Sequence, residues 1–464
     1  MTLGLDLQRV ASGYQSELQL FVEQHPRSGA FYQENLKHWL YGAPLHWMQQ
    51  WPGTYPIMVA DARGATLTDC DGREYVDFAL GDTGAMFGHA QPAVAAAIAE
   101  QALHGSTLML PTADSLWVGK ELSRRFGLPY WQVTTSATDA NRFVLRLCRM
   151  ITGRQKVLVF NCNYHGSVDE SQVEFDAQGQ MIPRDGVHAN GLQHASTTRL
   201  VEFNDLPALE AALAHGDVAA VLTEPFMTNV GMVPPAPGFH DGLRQLTQRY
   251  DVPLIIDETH TLSCGPGGYC GEQGLQPDFF VLGKSIAGGI PTAVWGCSQA
   301  MAERIWRVLP HFQPGQAINH FGFGGTLAGN ALQMAAMRAT FSEVMNDENY
   351  ARMFLLAERL RAGVDSIIGK HGLPWHVTRI GARVEYLFMQ QAPRNGGEAH
   401  HARHALIEAY LHLYLLNRGV LLTPFHNMAL MCPATSEAQV DLHNRLLDQC
   451  LDQCLAQVLP GAQP

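Results

Sequence analysis

Lysine is scarce in this chain of 464 residues: only Lys37, Lys120, Lys156, Lys284 and Lys370 occur. Four have ordinary surroundings. Lys37 and Lys120 lie in amphipathic stretches, Lys156 opens an apolar run after Gly153, and Lys370 closes a helical stretch before Gly372. A cation there is solvated or favours a helix dipole. Lys284 differs, because it follows Phe279-Phe280-Val281-Leu282 and precedes Ser285-Ile286-Ala287-Gly288-Gly289. Low polarity at the end of a buried strand lowers an amine's pKa, and a neutral amine can form a Schiff base with a carbonyl. The plainer alternative is a lysine whose stem follows the strand end and whose head reaches water. Twenty-seven residues earlier the apolar run Leu254-Ile255-Ile256 ends in Asp257-Glu258. A carboxylate there is costly to bury unless it meets a cation or a hydrogen-bond donor. A helix cap or an ion pair is the alternative reading for Asp257.

An aspartate that keeps a pyridine nitrogen protonated, together with a Schiff-base lysine, is the minimum equipment for pyridoxal phosphate chemistry. A phosphate site should then exist. Val133-Thr134-Thr135-Ser136-Ala137-Thr138-Asp139 runs from a strand into a helix, with a Ser136/Asp139 spacing like a capping box. Small residues at a helix start leave N–H groups for a dianion, although many helices begin this way with a simple cap. Asn163-Tyr164-His165-Gly166 follows the next strand and offers an aromatic face for a planar group; a tyrosine in the core is the other reading.

These residues need elements to position them. Val218–Thr223, Leu254–Asp257 and Phe279–Leu282 are near-continuous apolar runs. Such runs suit strands buried on both faces of a parallel sheet covered by helices. In parallel sheets ligands lie beyond the carboxyl ends of the strands, which places Asp257 and Lys284 at one crevice. Trp131–Thr134 and Val157–Phe160 read as further strands, and Val94–Leu103 and Asp139–Met150 as helices. Residues 175–198 read as a polar excursion. Residues 1–50 are helical in pattern, followed by short strands at Ile57–Ala60, Ala65–Thr68 and Tyr75–Phe78. His376–Phe388 is strand-like, Ala402–Arg418 helical, Val420–Thr423 a strand, and a last helix begins near Ser436. The expected architecture is α/β: a large, mostly parallel-sheet domain, and a smaller α+β domain built from both chain ends. The expected bounds are 1–75 for the N-terminal part of the small domain, 76–329 for the large cofactor-binding domain, and 330–464 for the C-terminal small domain.

Composition narrows the function classes. Charged residues are 16% and hydrophobic ones 46%, as in a globular chain able to bury a large core. A net charge of −12 provides no field for nucleic acid or an anionic membrane. No apolar run reaches the roughly 18–20 residues of a membrane span, and MTLGLDLQRV lacks a secretory pattern. The nine cysteines, an odd count without paired spacing, read as reduced thiols in a cytoplasmic protein. No metal site is expected. Neither His-Glu-x-x-His nor Cys-x-x-Cys occurs; His400 and His404 read as a solvated helix face, and the glycine-rich segment around Cys264 and Cys270 as a flexible loop near the site.

Together these segments resemble the class III pyridoxal-phosphate-dependent aminotransferases, and within them the glutamate-1-semialdehyde aminomutase-like branch. The resemblance spans about residues 36–450. It is strongest in Asp257-Glu258-Thr259 and in Leu282-Gly283-Lys284 through Gly289-Ile290-Pro291. It implies fold type I and pyridoxal 5'-phosphate held as a Schiff base on Lys284, which also shuttles a proton. Asp257 is implied to pair with the pyridinium nitrogen, Tyr164 to stack on the ring, and Ser136, Ala137 and Thr138 to hold the phosphate. Asn229 is implied to approach the ring hydroxyl. His260, at a position where many relatives carry Gln or Met, joins the cofactor set. Thr326 is implied to reach the phosphate of a neighbouring subunit, making a homodimer with shared active sites. The phosphate loop departs from the usual Ser-Gly-Thr-Glu-Ala, reading Ser136-Ala137-Thr138-Asp139-Ala140.

The activity expected from this is a transaminase, moving an amino group from a primary amine or amino acid to an oxo acid or aldehyde. Two alternatives stay open: an aminomutase or racemase on the same fold, and a catalytically silent cofactor-binding protein. Several relatives place an arginine after the position of Gly42 to grip a substrate carboxylate; here Ala43-Pro44-Leu45-His46-Trp47-Met48 has none. A more apolar pocket for a bulky or aromatic substrate follows as an expectation, with Trp47 and Met86 as candidate walls. Asp82 is a candidate partner for a cationic group, or a plain turn residue.

Overall fold

The computed structural model describes residues 3–187, 194–311, 315 and 322–455. The larger compact unit comprises residues 92–347 and 393–401. Its centre is a sheet of seven strands: β1 (Tyr130–Thr134), β2 (Lys156–Phe160), β3 (Thr198–Val201), β4 (Val218–Thr223), β5 (Leu254–Asp257), β6 (Phe279–Leu282) and β7 (Ala293–Cys297). The spatial order is β1-β7-β6-β5-β4-β2-β3. Neighbours are parallel except at β7, which runs antiparallel to both β6 and β1. Every residue of β4, β5, β6 and β7 is buried, which is why their sequences are unbroken apolar runs rather than alternating ones.

Register matters for the site. Asp257 pairs with Val281 across β5 and β6, and the Glu258 amide donates to the Val281 carbonyl at 2.8 Å. The carboxyl ends of the six mutually parallel strands therefore share one edge, and the segments 135–138, 161–166, 224–229, 257–260 and 283–287 leave from it. The helix Ala137–Thr152 packs on this sheet through Ala140, Val144, Leu145 and Cys148.

The smaller unit comprises residues up to 91, with 348–392 and 402 onward. It holds a sheet of Val59–Arg63, Thr66–Asp69, Glu74–Asp77 and Val420–Leu421, and a second of His376–Ile380, Arg383–Leu387 and Met428–Leu430. The contact boundaries fall at 91/92 and 347/348. Two pairings explain why they lie beyond 75 and 329. Strand Glu74–Asp77 is hydrogen-bonded to Val420–Leu421, whereas the helix Ala331–Ala339 packs on the large unit's helices Pro92–Leu103 and Ala113–Phe126.

Several expectations need correction. His376–Phe388 is two antiparallel strands, turned at Gly381 with a φ of +54°. Residues 175–198 include a strand pair, Val173–Phe175 with Met181–Pro183, and a short helix His194–Thr197; residues 188–193 lie outside the described residues. His400 and His404 do not share a helix. His400 lies in Gly396–His401, and His404 caps the next helix, Ala405–Leu416. The segment bearing Cys264 and Cys270 is a buried 3₁₀ turn and a short helix.

Candidate active site

Asp257 ends β5 and is 5% exposed. Its Oδ2 accepts from Asn141 Nδ2 at 2.9 Å and lies 3.0 Å from His165 Nδ1; Oδ1 accepts from the Thr259 amide at 3.1 Å. Burial alone raises a carboxyl pKa. Here the hydrogen bond and charge of His165, with donors from Asn141 and Thr259, more than offset it and hold Asp257 below its ordinary range. Its neighbour Glu258 takes the other course. It is fully buried, and burial pushes it up despite donors from Thr261 and from the Cys270 and Tyr269 amides. Glu258 thus fastens the Gly268–Gln273 helix, while Asp257 stays a charged group at the strand edge.

Lys284 stands just past β6, at the start of the 3₁₀ turn Lys284–Ala287. Its φ is +56°, a left-handed backbone that a side chain-bearing residue rarely adopts. Such strain persists only where the surroundings impose it, and it clusters at functional sites. The Lys284 Nζ lies 2.9 Å from His260 Nε2. Gly283 before it is closely packed: a Cβ would come within 3.1 Å of Ala137 Cβ and 3.3 Å of Ala293 Cβ. The lysine's turn is therefore seated against the start of the helix Ala137–Thr152.

That helix is capped by Ser136, whose Oγ accepts from the Asp139 amide at 3.2 Å and donates to Asp139 Oδ2 at 3.0 Å. Ala137 and Thr138 hold its first two positions, where amides have no acceptor inside the helix. Thr138 Oγ1 accepts from the Ser167 amide at 3.1 Å. A Cβ on Gly166, whose φ is +77°, would lie 2.1 Å from Thr138 Oγ1. Glycine is thus required for the loop bearing Tyr164 to approach the helix start. Tyr164 is 44% exposed, so it is not a core residue.

Asn229 belongs to a turn after β4, tied down where the Thr228 amide and hydroxyl donate to Glu224 Oε2 at 3.0 and 2.6 Å. Asn229 Nδ2 is buried close to Glu224, whose carboxyl it helps to hold down against the upward push of burial. Thr326 lies on an exposed turn before the helix Ala331–Ala339. Trp47, Asp82 and Met86 belong to the smaller unit. Met86 is fully buried, and Trp47 meets Phe425 edge-on with ring centres 6.1 Å apart. Asp82 lies in a run of four left-handed residues, Leu80–Thr83.

The large unit thus brings Ser136, Ala137, Thr138, Tyr164, Asn229, Asp257, His260 and Lys284 to one strand edge. These residues suit pyridoxal phosphate. Helix-start amides can bind a dianion, a buried carboxylate can pair with a pyridinium, and an amine can condense with an aldehyde. Two contributors were not singled out from the sequence, Asn141 and His165. Asn141 did leave a signal. It is a polar residue on the buried stripe that includes Ala140, Val144 and Leu145. Elsewhere, His371, Asp448 and Asp452 bring ligand atoms within 4.8 Å of one another, but Lys370 Nζ already bonds Asp448 at 2.7 Å, and the cluster reads as ion pairing.

This fold is shared with known proteins. Residues 47–451 match the family Aminotransferase class-III. The chain is 34% identical over 380 residues to a glutamate-1-semialdehyde 2,1-aminomutase 2 of Exiguobacterium sibiricum, covering 80% of this chain and 84% of that one. It is 77% identical to a glutamate-1-semialdehyde-aminomutase of Pseudomonas aeruginosa PAO1 solved by crystallography, with a TM-score of 0.96 over 97% of this chain and 99% of that one. A lysine-to-alanine variant of that enzyme, solved in complex with PMP, aligns with a TM-score of 0.97 over 97% of this chain and 100% of that one. The chain belongs to the class III aminotransferase family, on its α/β fold. It is a pyridoxal-phosphate-dependent enzyme, and its finer similarity is to the glutamate-1-semialdehyde aminomutases.

Proposed function

We propose that this enzyme is an aminomutase that moves an amino group between carbons 2 and 1 of glutamate 1-semialdehyde or a close analogue. The observation that carries this is the 77% identity, over nearly the whole of both chains, to an enzyme described as a glutamate-1-semialdehyde-aminomutase. When bound, pyridoxal phosphate supplies an aldehyde that condenses with amines and a ring that takes up the electrons of a broken C–H bond. In this reading Lys284 Nζ anchors the cofactor and moves the proton between substrate carbon and cofactor. Asp257 keeps the proton on the ring nitrogen, with His165 and Asn141 holding the carboxylate in place. Ser136, Ala137 and Thr138 bind the phosphate, Tyr164 covers one ring face, and Asn229 Nδ2 donates to the ring hydroxyl.

A homodimer belongs to the same proposal, with Thr326 serving the partner's phosphate. Its support is the exposed apolar surface of the large unit, where Leu103, Met109 and Leu110 are 87%, 79% and 72% exposed. Among the described residues no helix is long and apolar enough to cross a membrane.

A second reading is a transaminase acting between two molecules. The match of residues 47–451 to the Aminotransferase class-III family favours it. One experiment separates the two. The enzyme is mixed with glutamate 1-semialdehyde and no second amino acceptor, and the product is weighed. An isomer of unchanged mass, formed over many turnovers, supports the aminomutase. A single burst of carbonyl product with loss of the substrate nitrogen overturns it in favour of the transaminase.

A further inference from the structure

Lys284 Nζ and His260 Nε2 are 2.9 Å apart, and His260 is 6% exposed. An ammonium and an imidazolium repel at that distance in a site of low polarity, so the contact requires that one of the two be neutral. The geometry is built from both sides. His260 precedes the 3₁₀ turn Thr261–Cys264, and its carbonyl accepts from Ser263 Oγ at 2.9 Å. Lys284 opens its own 3₁₀ turn with a left-handed backbone, φ +56°. Around them Asp257 is held by His165 and Asn141, Glu258 by the Tyr269 and Cys270 amides, and Glu224 by Thr228.

We propose that His260 is a positioning residue for Lys284 that shares one proton with it and frees the amine for reaction. This rests on the cofactor-anchoring reading of Lys284 given above. As the cofactor arrives, the ammonium passes one proton to Nε2 and its nitrogen bonds the carbonyl carbon. The carbonyl oxygen then leaves as water with the two hydrogens remaining on the nitrogen. One C=O bond is exchanged for one C=N bond, and nothing is oxidised or reduced. When Lys284 is later displaced by a substrate amine, the same partner keeps it available as a base. A glutamine or methionine at this position has no such titrating nitrogen.

The test uses full-length apo-protein mixed rapidly with pyridoxal phosphate between pH 6.5 and 8.5. Capture is followed by absorbance and fixed by borohydride reduction with peptide mapping. Wild type should capture at a rate that changes little across this range. His260→Gln should lose about tenfold per pH unit as pH falls, the slope of an unassisted amine. A second measurement leaves His260 intact: histidine NMR of Lys284→Ala should show the His260 ring titrating at higher pH than in wild type, the repelling amine being gone. Equal rates and slopes for His260→Gln and wild type, or equal His260 titration with and without Lys284, would overturn the proposal. If wild type carries no label on Lys284 after reduction, the anchoring assignment itself fails, and that outcome is distinct from a labelled Lys284 insensitive to His260.

Discussion

Asp257 and Glu258 are adjacent in sequence and opposite in behaviour, and the difference lies in their donors. Asp257 has a histidine and an asparagine; Glu258 has only neutral donors. For Asp257 the folded pKa lies below the unfolded one. Its contribution to stability is therefore present above the unfolded value and is lost as pH falls through the folded value. Asp257→Asn should unfold more easily than wild type at neutral pH, and the two midpoints should converge in strong acid. The same variant should still capture pyridoxal phosphate on Lys284, with turnover lowered by about 10²–10³-fold once the ring nitrogen has no anion. Glu258 has the reverse sign: raised by burial, it stabilises most in acid and less as pH rises through its folded value. Lys284 and Asp257 were legible because a charge at the end of an apolar run is costly without a purpose. His165 and Asn141 were not, because their shared partner lies 92 and 116 residues away and only the fold brings them to it.

At the scale of elements, the three innermost strands were legible to the residue, since burial on both faces leaves an uninterrupted apolar signal. β7 was not. It is the one antiparallel insertion, and its Gly296 is there to admit a ring: a Cβ would fall 2.8 Å from Trp131. Glycine also sets the approach of the Tyr164 loop to the helix start. Gly166→Ala should lower thermal stability by about 2–3 kcal/mol and weaken cofactor retention, since both the backbone angle and Thr138 oppose it. Gly153→Ala, at a helix end with a φ of +70° and open space around it, should cost only about 1 kcal/mol and leave retention unchanged. Urea denaturation with and without pyridoxal phosphate separates the two effects.

At the scale of the whole molecule, the sequence disclosed an α/β unit and a second unit assembled from both ends of the chain. The finer division was hidden because Glu74–Asp77 is completed by a strand more than 340 residues later. The proposed dimer has its own check. Light scattering should give twice 51.0 kDa. Replacing Met109 and Leu110 together by glutamate should shift the mass toward one chain and loosen the cofactor, because a charge in a dry interface costs several kcal/mol. The left-handed turn at Lys284 has a further consequence. A glycine there would relax the backbone by about 1–2 kcal/mol relative to alanine. Lys284→Gly should therefore melt above Lys284→Ala, although neither can perform the reaction. The native chain thus holds its proposed nucleophile in a conformation that selection for durability alone would discard.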